Sequence, residues 1–182
     1  MKVVLGVTGS VAAKLTPKMA EALLADQHEV KVVATDAGLY FFESEEVTAQ
    51  GVEVMRDKDE WPEGGYIKSN QIPHIDLGDW ADYLLLAPVT YNTLGKIVGG
   101  IADNFLTCIV AAWPTEKPLV LAPAMNTRMW SKVVYLNLIE RVHGIFPLLT
   151  TVGPIRGRLA CGTTGIGAMA HIRDITAAIN NL

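Results

Sequence analysis

Five short apolar runs constrain this chain more than any other feature. They are Lys2–Thr8, Glu29–Ala34, Tyr83–Ala87, Pro118–Ala122 and Ile145–Thr151, and their centres are rich in Val, Leu and Ile. A strand with one wet face alternates apolar and polar residues, whereas a strand covered on both faces does not. Helical patterns lie between the runs. Ala12–Ala25 carries Leu15, Met19, Ala22 and Leu23 at helical spacing. Asn92–Ala112 also reads as helix in part, with glycines blurring its limits. The alternation predicts an α/β fold: a doubly wound parallel sheet, Rossmann-like or flavodoxin-like, with helices on both faces.

The chain has 182 residues, the length of a single domain, 1–182, able to bury a full core without disulfides or a metal. Half of it is hydrophobic and about a fifth is charged, so it folds instead of staying disordered. With a formal net charge of −4 and no basic stripe, nothing points to nucleic acid or an anionic membrane surface. No apolar run approaches the roughly 18–20 residues that cross a bilayer. The N-terminal run ends in a Gly-Ser turn and reads as a first strand, not a signal peptide. Cys108 and Cys161 lie far apart and form no CxxC pair, which suits a reducing cytosol. Histidines and carboxylates show no metal-ligand spacing. The expectation is a soluble, cytoplasmic protein without a metal.

Two stretches break the alternation. Residues 43–73 are polar and contain Pro62, Gly64 and Gly65. Residues 153–168 hold five glycines with Pro154, Arg156, Arg158 and Cys161. Both are expected to be irregular, as flaps and lids are.

Three segments and one single residue follow strand candidates. Gly6-Val7-Thr8-Gly9-Ser10-Val11-Ala12 joins the first strand to the first helix. There Gly9 permits a tight turn, Ser10 can donate to a phosphate, and the helix start offers free N–H groups. The third glycine of a dinucleotide fingerprint is missing, which favours a mononucleotide; a plain glycine-rich turn is the competing reading. Thr35, after the second strand, is a second phosphate candidate. The third strand is expected to stop at Pro88, and Asn92 and Thr93 then offer hydrogen bonds to a ligand, unless Thr90 or Asn92 only caps a helix. In Pro123-Ala124-Met125-Asn126-Thr127-Arg128-Met129-Trp130, Asn126 offers two donors and an acceptor suited to a carboxylate, or else a helix cap.

Two residues stand out singly. His74 is the natural proton carrier near neutrality, although a lone histidine is more often structural. Cys161 sits in a glycine-rich loop where exposure favours reactivity, whereas Cys108 lies in an apolar helical run and is expected in the core.

In order along the chain, these segments resemble the flavin-containing cysteine decarboxylases. The resemblance rests on the PxMNxxMW-like Pro123–Trp130, on Asn92–Ile97 with Gly100–Asn104, on His74–Asp82, and on Ala160-Cys161-Gly162. It departs where Thr163 and Ala168 replace an aspartate and a later arginine of the family's cysteine lid. The resemblance implies FMN as cofactor, held by Gly9, Ser10, Thr35, Pro88, Asn92, Thr93, Asp103 and Met125. It implies a small cysteinyl substrate touched by Asn126, Met129, Ala160 and Gly162, and a homotrimer or an assembly of trimers. His74 would move protons, Asn126 would hold the carboxylate, and Cys161 would protonate the product. Peptidyl enzymes that release the enethiol do not need that last donor, so Cys161 favours phosphopantothenoylcysteine. A peptidyl-cysteine decarboxylase of a peptide-modification pathway, a flavin prenyltransferase, another flavoprotein reductase and a non-enzymatic regulator are the alternatives.

Overall fold

In the computed structural model, residues 1–65 and 72–181 are described. Six parallel strands form the sheet, in the order β3-β2-β1-β4-β5-β6. These strands are β1 (Lys2–Val7), β2 (Glu29–Ala34), β3 (Glu53–Met55), β4 (Tyr83–Val89), β5 (Leu119–Pro123) and β6 (Leu149–Thr151). Around them lie α1 (Thr16–Ala25), α2 (Asp36–Leu39), α3 (Ser44–Thr48), α4 (Asp57–Glu60) and α5 (Pro73–Trp80). The helices continue with α6 (Tyr91–Gly99), α7 (Phe105–Ala112), α8 (Thr127–Trp130), α9 (Val133–Ile145) and α10 (Ile172–Ile179). A separate antiparallel hairpin joins β7 (Ile155–Arg158) to β8 (Thr164–Ala168).

The apolar runs are uninterrupted because both faces of the central strands are covered. Val3, Leu5, Val7, Tyr83, Leu85 and Ala87 face the layer that holds α1 and α10. Val4, Leu84, Leu86 and Val89 face the layer that holds α6, α7 and α9. Burial of a Leu or Val side chain contributes roughly 1.5–3 kcal/mol, so a polar substitution on either face would be costly.

Several boundaries differ from the sequence reading. The helix expected from Ala12 is a 3₁₀ turn, Val11–Leu15, followed by α1 with Pro17 in its first turn. Proline has no N–H to donate back to Ala13, so a continuous α-helix cannot pass through it. Asn92–Ala112 is two helices, broken at Gly100, whose φ of 67° is left-handed. Asn104 then restarts the chain by accepting from Thr107 N–H at 2.9 Å.

The strand expected to stop at Pro88 runs on to Val89. The β4–β5 register shifts between Leu86 and Val89, so the missing proline donor falls where the ladder is already interrupted. Ile145 belongs to α9 and not to β6; the helix ends just before Pro147. Within 43–73 the described residues include α3, α4 and β3, and residues 66–71 lie outside the described part. Among the described residues β3 is an edge strand paired with β2 alone, so it has no fully buried run to announce it. The stretch 153–168, expected to be irregular, forms the β7–β8 hairpin.

One long-range contact secures α5. The Lys117 ammonium donates to the carbonyls of Gly78 at 2.8 Å, Asp79 at 3.1 Å and Ala81 at 2.7 Å. These are the carbonyls at the end of α5, which lack partners within the helix. Among the described residues no helix is long and apolar enough to cross a membrane.

Candidate active site

The strand order reverses between β1 and β4, and open α/β sheets bind ligands beyond the carboxyl ends of their strands at such a point. Loops after β1, β2, β4 and β5 meet there around a cleft of about 1140 Å³. The hairpin tip, Leu159–Gly162, forms another part of the wall. The cleft is large enough for a cofactor and a second ligand together.

At one end lie Gly9, Ser10 and Thr35. A Cβ at Gly9 would stand 2.6 Å from the Ala37 side chain, so only glycine lets the two loops approach this closely. Ser10 accepts from Ala12 N–H at 3.3 Å and starts the 3₁₀ turn. Thr35 accepts from Gly38 N–H at 3.1 Å and starts α2. Both hydroxyls therefore sit at helix starts beside free N–H groups, and Lys14 adds a cation to the same wall. This is a donor set for an anion.

The middle of the cleft is formed after β4. Thr90, not Asn92, caps α6, accepting from Thr93 N–H at 3.4 Å. The Asn92 amide is left to face the cleft. Asp103 accepts from the Lys96 ammonium at 2.7 Å on each oxygen and from Asn104 Nδ2 at 3.4 Å, and the lysine above all holds its carboxyl below the usual range.

The far end joins β5 to the hairpin. Asn126 Oδ1 accepts from Arg128 N–H at 2.9 Å, so the residue is a helix cap. Its Nδ2 donates to Cys161 Sγ at 3.2 Å, so the other half of the amide faces the thiol. Thr163 Oγ1 lies 3.0 Å from the same sulfur. Hydrogen bonds from Thr163 first, and then from Asn126, pull the Cys161 thiol below its ordinary value. Met129 and Gly162 complete this end.

The hairpin is seated by its glycines. Met125 N–H donates to Gly167 carbonyl at 2.9 Å, and Thr127 Oγ1 donates to Ile166 carbonyl at 2.7 Å. A Cβ at Gly167, whose φ is 145°, would meet the Met125 carbonyl oxygen. Gly167→Ala is therefore expected to lower stability by about 2 kcal/mol or more, from strain and clash together. Urea unfolding checks this, and an unchanged midpoint would refute the close packing.

Comparison with known proteins bears on this arrangement. The family described as Flavoprotein matches residues 1–182. The chain belongs to the flavoprotein family. It is 39% identical over 179 residues to phosphopantothenoylcysteine decarboxylase of Mus musculus, covering 98% of this chain and 85% of that one. Among solved structures it is similar to a cysteine-to-serine mutant of PPC decarboxylase complexed with pantothenoylaminoethenethiol. That match has a TM-score of 0.92 and 38% identity, over 99% of this chain and 96% of that one. It is also similar to the FMN binding protein AtHal3, with a TM-score of 0.88 and 38% identity, over 99% and 95% of the two chains.

In this flavoprotein, Gly9, Ser10, Thr35, Asn92, Thr93, Asp103, Met125, Asn126, Met129, Ala160, Cys161 and Gly162 share one cleft. Two residues singled out in the sequence do not line it. Pro88 is buried within β4, where its carbonyl accepts from the Thr8 hydroxyl at 2.8 Å. His74 lies on α5 outside the lining, with Nδ1 against Glu60. Cys108 is half-buried on α7 and not in the core; it lies between the buried Thr107 and Ile109 and bonds the Ala102 carbonyl at 3.5 Å. Burial, then Glu60, Asp57 and Asp103, push its thiol up.

The sequence reading missed Lys14, Asp57 and Glu60, and it took Thr163 only as a departure from the family's lid. Asp57 accepts from Phe105 N–H at 2.9 Å across 48 positions, and no local pattern announces such a pair. Thr163 had a signal, since it lies two residues from Cys161 and its hydroxyl can reach back to the thiol.

Proposed function

We propose that this flavoprotein is an FMN-dependent decarboxylase of phosphopantothenoylcysteine, acting in coenzyme A biosynthesis in the cytoplasm. The observation that carries this reading is the Asn126–Cys161 contact at 3.2 Å within the cleft. It sets a neutral amide, suited to a carboxylate, beside an acidified thiol. The similarity to a PPC decarboxylase whose cysteine-to-serine mutant is complexed with pantothenoylaminoethenethiol supports the same reading.

The residues present fit FMN. The Gly9–Ser10 turn, Thr35 and Lys14 supply donors for its phosphate, and the close approach at Gly9 leaves no room for a Cβ. Asn92, Thr93, Asp103 and Met125 would hold its ring system and ribityl chain. When bound, FMN supplies reversible two-electron chemistry at the carbon that bears sulfur. Asn126 would fix the substrate carboxylate against Met129, Ala160 and Gly162 until CO2 leaves. Cys161 would then give its proton to the enethiolate carbon. His74 would carry protons earlier in the sequence. Its place outside the cleft fits an assembly, taken as a homotrimer, in which it faces a neighbour's cofactor. Exposed Val133, Val134 and Leu136 on α9 offer apolar surface for such contacts.

The purified protein should be yellow, should release FMN and should run above monomer mass in light scattering. With phosphopantothenoylcysteine it should release CO2 and give phosphopantetheine by mass spectrometry. A colourless protein that takes up no added FMN would sink the reading.

A further inference from the structure

His74 stands in the first turn of α5, where backbone N–H groups have no partner within the helix. Ile72, the cap residue, offers no side-chain acceptor. Glu60, at the end of α4, fills the gap. Its Oε2 accepts from His74 N–H at 3.1 Å, and its Oε1 meets Nδ1 of the same residue at 2.5 Å. Both carboxylate oxygens are thereby committed to one histidine. The Glu60 side chain is only 6% exposed against 25% for His74, and among the described residues no lysine or arginine pairs with it. A buried carboxylate needs such donors, because an unpaired buried charge is costly.

We propose that Glu60 is a positioning residue for the decarboxylation, one that holds the proton of His74 on Nδ1 and leaves Nε2 as the working nitrogen. A carboxylate accepts only, so Nδ1 must be the donor. The second bond, to the backbone N–H, fixes the carboxylate relative to the helix. Together the two bonds set both the tautomer and the rotation of the ring. Tautomer control matters because a histidine with its proton on the wrong nitrogen cannot exchange one at the reacting atom. This inference rests on the decarboxylase reading for its kinetic consequence but not for its tautomer.

Glu60→Gln separates this role from a purely structural one. An amide has a single accepting oxygen. If that oxygen keeps the backbone N–H, the NH₂ group points at Nδ1 and drives the ring proton to Nε2. Histidine labelled with ¹⁵N, with His74→Asn to assign the signals, should show His74 protonated on Nδ1 in the wild-type holoprotein. The Glu60→Gln holoprotein should show a population shifted to Nε2. Its kcat on phosphopantothenoylcysteine should fall about 10- to 100-fold, with KM within about threefold and FMN content unchanged. Glu60→Asp, which keeps two acceptors, should recover part of the loss and serves if the amide variant folds poorly. A wild-type spectrum with the His74 proton on Nε2 overturns the assignment, and so does full kcat in Glu60→Gln. If the wild type fails to act on phosphopantothenoylcysteine, the decarboxylase reading falls instead, and the nitrogen spectra still decide the role of Glu60.

Discussion

Cys161→Ser protein is expected to release CO2 and yet fail to make the saturated thiol. The proposed reaction divides at the enethiolate. Losing CO2 from the oxidised substrate needs the carboxylate held and the carbonyl-like sulfur centre in place, and neither requires a proton from position 161. Returning to the saturated product requires one proton and one hydride at adjacent carbons. In the wild type, Cys161 faces the cleft with its thiol acidified by Thr163 and then Asn126. Serine is nearly isosteric and keeps the contacts, but an alcohol is a far weaker acid than a thiol. The variant should therefore accumulate the enethiol, two hydrogens lighter than the wild-type product, with those hydrogens passing to oxygen in air. Mass spectrometry reads the difference. Repeated turnover to the saturated thiol would remove Cys161 from the donor role. The same reasoning gives a pH dependence. The donor must be protonated, and its value is lowered, so the yield of saturated thiol should fall as pH rises through a point below the ordinary thiol range. In Cys161→Ser that limb should vanish.

Asn126→Asp is expected to abolish turnover, by about a hundredfold or more in kcat/KM, while leaving the fold intact. Aspartate caps helices as well as asparagine does, so the bond to Arg128 N–H is retained and stability should move by less than about 0.5 kcal/mol. What is lost is the Nδ2 donor. In its place stands a negative charge facing both the substrate carboxylate and the Cys161 sulfur. Like charges disfavour one another, so the substrate carboxylate is repelled and the thiol is driven up toward its ordinary value. Steady-state kinetics together with a melting curve test this. Wild-type kcat/KM in a normally folded variant would show that the amide does not hold the carboxylate.

The core strands and their following loops were readable because double burial leaves a local mark. Val3–Val7 and Leu84–Leu86 carry no polar residue. The cleft-lining residues come directly after those strands, so finding the strand end found Gly9, Thr35, Asn92 and Asn126 as well. The hairpin β7–β8 escaped because its strands are only partly covered, as Ile155–Arg158 alternates half-buried and exposed residues without an apolar face. The edge strand β3 escaped for a similar reason. Glu60 was invisible for a different one. Its meaning depends on a partner fourteen positions away on another helix, and charge content in a polar stretch looks the same whether or not such a partner exists. Pro88 misled because proline forbids a ladder donor but does not forbid extended backbone, and here the ladder had already shifted.

The three-carbonyl grip of Lys117 has a mechanical side. It anchors one end of α5, and Glu60 anchors the other. An eight-residue helix held at both ends behaves as a strut and not as a hinge. His74 is thus mounted on a part held at both ends, and in the proposed reaction its ring would need little ordering when a substrate arrives. Loss of conformational freedom costs about 1–2 kcal/mol for each backbone residue that must be fixed. Here that cost falls in folding, once, and does not recur with each substrate bound. In the proposed reaction, adjustment would then fall to the parts that line the cleft, among them the hairpin tip that carries Cys161.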